Sequence, residues 1–460
     1  MARDVTDSTP ISSRSELVAW IEAGAKPPEE FRIGTEHEKI PFYRRGNLPV
    51  PYEGLPQLGR GGIRALLEGM QEKLGWAPVT DRAQIIGLYD ARSGAGISLE
   101  PGGQFELSGG PVETIHETDA ELEAHFSAIK TVAALLGIDF LSLGESPKWA
   151  LNEIPLMPKQ RYAIMARYMP KVGWRGLEMM FRTCTVQANF DYSGEADMVK
   201  KLRVSLALQP VATALFANSP LSEGKLNGFL SDRSEIWRHT DPNRTGMLPF
   251  VFEPGMSFER YVDYALSVPM YFVKRGDIYH DVAGANFDDL LQGRLTQLPG
   301  ERATLADWAN HLSTIFPEVR LKRYLEIRGA DSGPRPFLTA LPALFAGLLY
   351  EQNALNAAWD LVKVWSEVDR EQLRTAVPRL GLDAEIGGRR LRKVAAEVLC
   401  IARAGLARRN RPGPRGQDES FYLAPLDAVL ARGSEAERLI RMFETQWTGS
   451  VDGAFEECVY

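Results

Sequence analysis

Hydrophobic and polar residues alternate with a period of two in four separate stretches of the chain. From Phe31 to Tyr43 the pattern reads as a strand with Glu36 and Glu38 on one face, since successive strand side chains point to opposite sides and i, i+2 neighbours sit about 6.5 Å apart at the backbone. From Leu99 to Leu107 a Pro-Gly-Gly turn separates two strand-like arms, and Gln104 and Glu106 share a face opposite Phe105 and Leu107. In the third stretch Thr183, Thr185, Gln187, Asn189 and Asp191 oppose Cys184, Val186, Ala188 and Phe190. In the fourth, Lys322, Tyr324, Glu326 and Arg328 oppose Leu321, Arg323, Leu325 and Ile327, which predicts one continuous strand from Leu321 to Arg328. Strands of a doubly wound parallel sheet read as apolar runs, whereas these alternate, so the expected fold is α+β with an antiparallel sheet.

Helical spacing accounts for most of the rest. A short helix follows Ser13 or Ser15, another runs from about Ile63 to Leu74 after a Pro- and Gly-rich loop, and a third carries Asp119 and Glu121 in its first turn and stops at Gly137. Further helices are expected over Ala196 to Ala217 and Phe258 to Val268, with a hairpin over Met270 to His280. From Leu338 onward the chain reads as amphipathic helix interrupted by the Gly/Pro/Arg-rich linker Arg408 to Gly416. The polar stretch Ser219 to Phe250 is too long for an ordinary connection and is a candidate substrate lid.

Charge and composition remove several function classes. A net charge of -7 over 460 residues argues against a nucleic-acid partner, since phosphate backbones demand clustered Lys and Arg, and leaves basic residues to be sought locally. No window approaches the roughly 18 apolar residues of a membrane helix. The three cysteines, Cys184, Cys400 and Cys458, form neither a zinc pair nor a disulfide framework, and the start of the chain lacks a signal-peptide core, so a cytoplasmic protein is expected. There is no P-loop, no strand-linked dinucleotide fingerprint and no nucleophile elbow, and none of the six histidines is paired at His-x-x-x-His spacing.

What remains is carboxylate chemistry. Glu36 and Glu38 side by side repel unless a cation offsets them. If the polar faces of the four strands turn inward, they make a funnel lined by Glu36, Glu38, Glu106 and Glu326, with Arg328 two residues from Glu326. Carboxylates with water suit Mg²⁺, and an arginine fork suits phosphate, so the residues point to a magnesium-nucleotide site. Glu100, at the turn, is a further candidate for the metal, and Gln187 and Asn189 are candidates to orient substrate or a metal-bound water. Arg161, Arg203, Lys225 and Arg233 could each meet phosphate or a substrate carboxylate, or be surface charges. His37 falls on the opposite face and Cys184 on an apolar one, so both read as structural.

The runs GTEHEK, SLEPGGQFELSG, MPKQRY, FRTCTVQANFDYSGEADM, ALQPVATALFANSP and IFPEVRLKRYLEIRGAD resemble the plant and proteobacterial type of glutamate-cysteine ligase, over nearly the whole chain from about Phe31. The resemblance implies a glutamine-synthetase-like curved antiparallel sheet forming a funnel and surrounded by helices. It implies one catalytic domain over residues 1–460: a lead and helix at 1–30, a sheet-bearing core at 31–336, and a mostly helical part at 337–460 packed on the core. It also implies Mg²⁺, with Mn²⁺ as a substitute, and ATP, L-glutamate and L-cysteine as small-molecule substrates of a monomer or weak homodimer. Under that reading Glu36, Glu38, Glu100, Glu106 and Glu326 hold metal, Arg328 and Glu38 act at the transferring phosphoryl group, and Gln187, Asn189, Arg161, Arg203, Lys225, Arg233 and Tyr324 bind substrate or ATP. Plant members carry disulfide-forming cysteines at positions aligned with Asp119, Val282, Gln297 and Thr339, so a thiol switch of that kind is expected to be absent. The residues leave open a γ-glutamyl ligase with another amine acceptor and a catalytically silent nucleotide-binding regulator.

Overall fold

Residues 6–414 and 416–460 are described by a computed structural model. Its organising element is strand β1 (Ile33–Tyr43), whose eleven residues are long enough to serve two sets of neighbours. The remaining strands of the sheet are β2 (Leu48–Pro49), β3 (Ala77–Asp81), β4 (Gln84–Tyr89), β5 (Gly96–Leu99), β6 (Phe105–Ser108), β7 (Ile138–Leu141), β8 (Thr185–Phe190), β9 (Val319–Leu321) and β10 (Leu325–Asp331). The order is β9-β10-β8-β1-β6-β5-β4-β3, with β2 and β7 beside the second half of β1, and every pairing in this sheet is antiparallel.

Helices surround the sheet. In chain order those used below are α1 (Arg14–Glu22), α2 (Ile63–Leu74), α3 (Ile115–Leu136), α4 (Gln160–Val172), α5 (Gly176–Arg182), α6 (Glu195–Leu215) and α7 (Asp232–Arg238). The apolar positions of β8 and β10 pack against α6 and the helix Arg335–Leu349, both buried nearly all round. α3 lies beside β1, where the His37 ring stacks on Phe126 with centroids 5.3 Å apart. One large hydrophobic cluster draws on residues from Ile11 to Val429, and a smaller one gathers Ile40, Phe42, Leu141 and Cys184 with the C-terminal residues Leu439 and Phe455. Among the described residues no helix is long and apolar enough to cross a membrane.

Four expectations change. The alternating stretch after Val319 is a hairpin, not one strand: β9 and β10 pair with Arg320 opposite Glu326, and Lys322 to Tyr324 form the turn. The Ser219 to Phe250 segment is not a lid, because a short hairpin and α7 organise it and Ser231, Asp232, Arg233, Thr240, Asp241 and Arg244 are all buried. α3 begins a turn earlier than expected, at a capping box in which Thr114 accepts the Glu117 backbone N–H and the Glu117 carboxylate accepts that of Thr114. The interruption at Arg408 also begins later, since the helix Leu391–Arg409 runs through it; residue 415 of that linker and the first five residues of the polar lead lie outside the described residues.

Candidate active site

The polar face of the sheet is buried rather than wet, and the register fixes which groups meet. Glu38 stands directly opposite Glu106 across β1 and β6, and Ser98 of β5 lies beyond Glu106. Glu36 stands opposite Gln187 of β8 on one side and Ser108 of β6 on the other. Neighbouring strands are about 4.8 Å apart, so three strands bring these carboxylates to one wall. Glu36, Glu38, Glu100 and Glu106 line a cleft with about 120 Å³ of solvent-accessible space.

Each carboxylate is held by the sheet or its turns. Asn189 donates to Glu36 at 2.8 Å, the Thr185 backbone N–H to Glu38 at 2.9 Å, and the Ser108 hydroxyl to Glu106 at 2.5 Å. Glu100 begins the turn before β6, closed by backbone bonds from Glu100 N–H to the Gln104 carbonyl and from Gly103 N–H to the Glu100 carbonyl, both 2.9 Å. Gln104 secures that turn to α5, donating to the carbonyls of Met180 and Thr183 at 3.2 and 3.0 Å. Burial raises the Glu38 pKa well above the usual carboxylate range, and Glu100 and Glu106 push it the same way. Burial likewise raises that of Glu100, with Glu106 adding to it. A bank of buried like charges is the electrostatic signature of a place that prefers a cation.

The other wall is basic and is organised by one glutamate. Glu326, with no exposed surface, accepts from Arg320 at 2.5 Å, Arg328 at 2.9 Å and Lys322 at 3.1 Å. Burial alone would raise its pKa, but Arg320, Lys322 and Arg328 hold it well below the ordinary value. Lys322 is shifted down to about 8, by burial first and then by Arg320. Arg328 also donates to Gln187 at 2.6 Å, which connects the basic cluster to the rung that carries Glu36. Pairing between β8 and β10 slips at Arg328–Gly329, a bulge that re-aims the arginine. Gly329 is required there: a Cβ would stand 2.4 Å from the Gln209 side-chain oxygen, which accepts the Gly329 N–H. From α7, Arg233 and Trp237 complete this wall.

Several expected residues are placed elsewhere. Glu326 is fully buried, is paired with three cations and is not among the residues that line the cleft. Arg203 is turned away, donating to the carbonyls of Val251 and Glu253 at 2.7 Å each. Lys225 is exposed on a short hairpin outside the cleft. Tyr324 sits in the β9–β10 turn, outside the cleft lining, with its hydroxyl 3.4 Å from Lys322 Nζ. Asn189 reaches the site only through Glu36. Arg161, Gln187, Arg233 and Arg328 do line the cleft. Sequence reasoning missed Arg320 and Lys159 as cleft residues. Arg320 was hidden because a strand starting at Leu321 excludes it, while the hairpin puts it opposite Glu326. Burial pushes the Cys184 thiol well above its usual pKa, in keeping with a packing role.

Two groups absent from the chain itself fit these walls. Oxygen donors from carboxylates are what Mg²⁺ takes, usually one or two of them with waters and substrate phosphates, and among the described residues no closed cage of three or more acidic, His or Cys ligands is preformed. On the basic wall, the buried Nε–H groups of Arg233 and Arg320 and the indole N–H of Trp237 find no hydrogen-bond partner among the described residues. Each such donor is costly to leave unmet, by about 1–3 kcal/mol, and an oxyanion would satisfy them.

Comparison with known proteins agrees with this chemistry. The model of glutamate-cysteine ligase family 2 matches residues 32–457. The chain is 51% identical over 449 residues to the chloroplastic glutamate-cysteine ligase B of Oryza sativa subsp. japonica, covering 97% of this chain and 87% of that one. Against the chloroplastic glutamate-cysteine ligase of Arabidopsis thaliana identity is again 51% over 449 residues, covering 97% and 83%. Among solved structures, the glutamate-cysteine ligase of Francisella tularensis in complex with AMP has the same fold, with a TM-score of 0.52 at 13% identity over 93% of this chain and 87% of that one. The cytoplasmic expectation is corrected by these relatives: those from rice, tobacco and Arabidopsis are chloroplastic by name.

Proposed function

The chain belongs to glutamate-cysteine ligase family 2, and from that premise we propose how its cleft performs the ligation. It is an enzyme that joins the side-chain carboxylate of L-glutamate to the amine of L-cysteine. In the proposed course, a glutamate carboxylate oxygen attacks the γ-phosphorus of ATP, the bond to the bridging oxygen breaks, and ADP leaves. The cysteine nitrogen then attacks the acyl carbon of γ-glutamyl phosphate, the carbon–oxygen bond breaks, the amine loses a proton, and inorganic phosphate departs with γ-glutamylcysteine formed. Both steps require charge neutralisation and alignment at phosphoryl oxygens more than covalent help from the protein.

The observation that carries this reading is the adjacency of the two walls: Arg328 bonds Gln187, and Gln187 pairs in register with Glu36 beside the Glu38–Glu106 rung. Glu36, Glu38, Glu100 and Glu106 are the residues that would hold Mg²⁺ or Mn²⁺, which when bound offsets phosphate charge. Arg328, Arg320 and Arg233 supply fork-shaped donors for the phosphoryl oxygens. Gln187 orients Arg328, and Asn189 orients Glu36. Arg161 and Lys159, beside Glu100, offer positive charge to a substrate carboxylate.

The test mixes purified protein with Mg-ATP and L-glutamate, varies the amine across cysteine, 2-aminobutyrate, alanine and none, and follows phosphate release with product mass. Cysteine-dependent release with the mass of γ-glutamylcysteine supports the proposal. Preference for another amine reassigns the acceptor, and no release with any amine refutes catalysis.

A further inference from the structure

Asp331 ends β10, three residues beyond Arg328, and lies outside the cleft lining. It is 1% exposed, and its carboxylate is spent on a single neighbouring segment. Oδ2 accepts the Asn218 backbone N–H at 2.9 Å and the Ser219 hydroxyl at 2.7 Å, and Oδ1 accepts the Ser231 hydroxyl at 2.8 Å. Both serines pass the contact on to α7. The Ser219 oxygen accepts the Arg233 backbone N–H at 3.1 Å, and the Ser231 oxygen caps the helix by accepting the Ser234 N–H at 3.3 Å. Through two hydroxyls, one carboxylate therefore fixes the first turn of the helix that sends Arg233 and Trp237 into the cleft.

The far end of Arg233 is tied to the same strand, because its guanidinium donates to the Arg328 carbonyl at 3.0 Å. β10 thus holds Arg233 at both its backbone and its tip while presenting Arg328 itself. Gly144 packs directly against Asp331, so that a Cβ on it would stand 2.6 Å from the Asp331 Cβ. The hydrogen bonds that reach Asp331 come from neutral donors and occupy both oxygens, so an amide in its place would keep one acceptor and turn an N–H toward a donor. Of the charged groups around it Arg233 acts on it most strongly.

We propose that Asp331 is a positioning residue for triphosphate binding, setting the place of Arg233 through Ser219 and Ser231. The inference rests on the ligase reading above for the role of Arg233. Because the action runs through one arginine, its signature is loss of coupling: once Arg233 is altered, Asp331 has nothing left to position.

Four proteins test this: the parent enzyme, Asp331→Asn, Arg233→Lys and the double variant, each assayed for cysteine-dependent phosphate release against ATP concentration, with Tm recorded. Asp331→Asn is expected to lower kcat/KM for ATP roughly tenfold with KM for cysteine unchanged, and the double variant is expected to be no worse than Arg233→Lys. Losses that multiply in the double variant overturn the proposal, as does a parallel rise in KM for all three substrates that follows Tm. Should Asp331→Asn fail to fold, Ser231→Ala replaces it in the same cycle, with the same two outcomes. If the parent enzyme releases no phosphate, the ligase reading falls by itself, and coupling is read instead from Mg-ATP affinity of the four proteins by calorimetry.

Discussion

Replacing Glu326 by Gln keeps the shape of the side chain and removes one charge from the centre of a buried cluster. Arg320, Arg328 and Lys322 surround that charge at 2.5, 2.9 and 3.1 Å. Removing one partner of a buried ion pair typically costs about 3–5 kcal/mol, because the other charge is left without compensation. Here three cations lose their anion, so the upper half of that range is expected, but Lys322 supplies an escape. Its pKa is already down to about 8, and without Glu326 it falls further, so the lysine can shed its proton. The sign follows from linkage. The folded-state pKa lies below the unfolded value of about 10.4, so between the two the unfolded chain binds more protons and stability rises with pH. In the variant that window reaches to lower pH, and the difference between parent and variant should shrink from about 4 kcal/mol at pH 6 to about half of that at pH 9. Urea unfolding followed by tryptophan fluorescence at the two pH values, with refolding checked for reversibility, measures it. A loss below about 1 kcal/mol at pH 6, or the same loss at both pH values, would refute the argument. Unchanged stability with a raised Mg²⁺ requirement would return Glu326 to the role of metal ligand.

Arg203→Ala should leave KM for ATP and glutamate unchanged while lowering stability by roughly 1 kcal/mol, since it removes the hydrogen bonds to the Val251 and Glu253 carbonyls and lies outside the cleft lining; a raised KM for either substrate would contradict its placement. Gly405→Ala should cost about 3 kcal/mol in chemical denaturation, because a Cβ there would stand 1.9 Å from the Gly347 carbonyl oxygen where the helices Arg335–Leu349 and Leu391–Arg409 cross; a neutral result would mean that the crossing is looser than described. Chelating divalent cations should abolish phosphate release, with Mg²⁺ or Mn²⁺ restoring it, and Glu38→Gln should raise the Mg²⁺ concentration needed by tenfold or more, on the order expected when one of few ligands is lost; activity indifferent to chelation would remove the metal from the mechanism.

The parts of the site that could be read from the residues are those where local pattern and tertiary environment agree. Period-two alternation located β1, β6 and β8 and assigned Glu36, Glu38, Glu106 and Gln187 to one side, because a strand cannot put i and i+2 on different faces. The helix Ile63–Leu74 was legible from the Pro- and Gly-rich loop that leads into it. Alternation failed at Lys322 to Tyr324, where a turn contains no Gly, Pro or Asn and continues the pattern of the strands it joins. Missing that turn hid Arg320, which the hairpin places opposite Glu326. The supposed lid failed for a related reason: its polar residues are buried partners of one another, as in the Asp241–Arg244 pair at 2.6 Å, and polarity alone does not distinguish a satisfied interior from a mobile surface. Arg203 and Lys225 belong to elements whose direction is set by packing against distant segments, which no local window contains.

The placement of β9 and β10 on the far side of β8 has a consequence for how the enzyme is made. β1, β5 and β6 emerge early in synthesis and bring Glu36, Glu38, Glu100 and Glu106 with them, whereas Arg320, Lys322 and Arg328 follow only after some two hundred further residues have been added. Pairings of such sequence separation form late, after the entropy of closing a long loop has been met. The acidic and the basic wall of the cleft therefore meet only once this late hairpin has paired with β8.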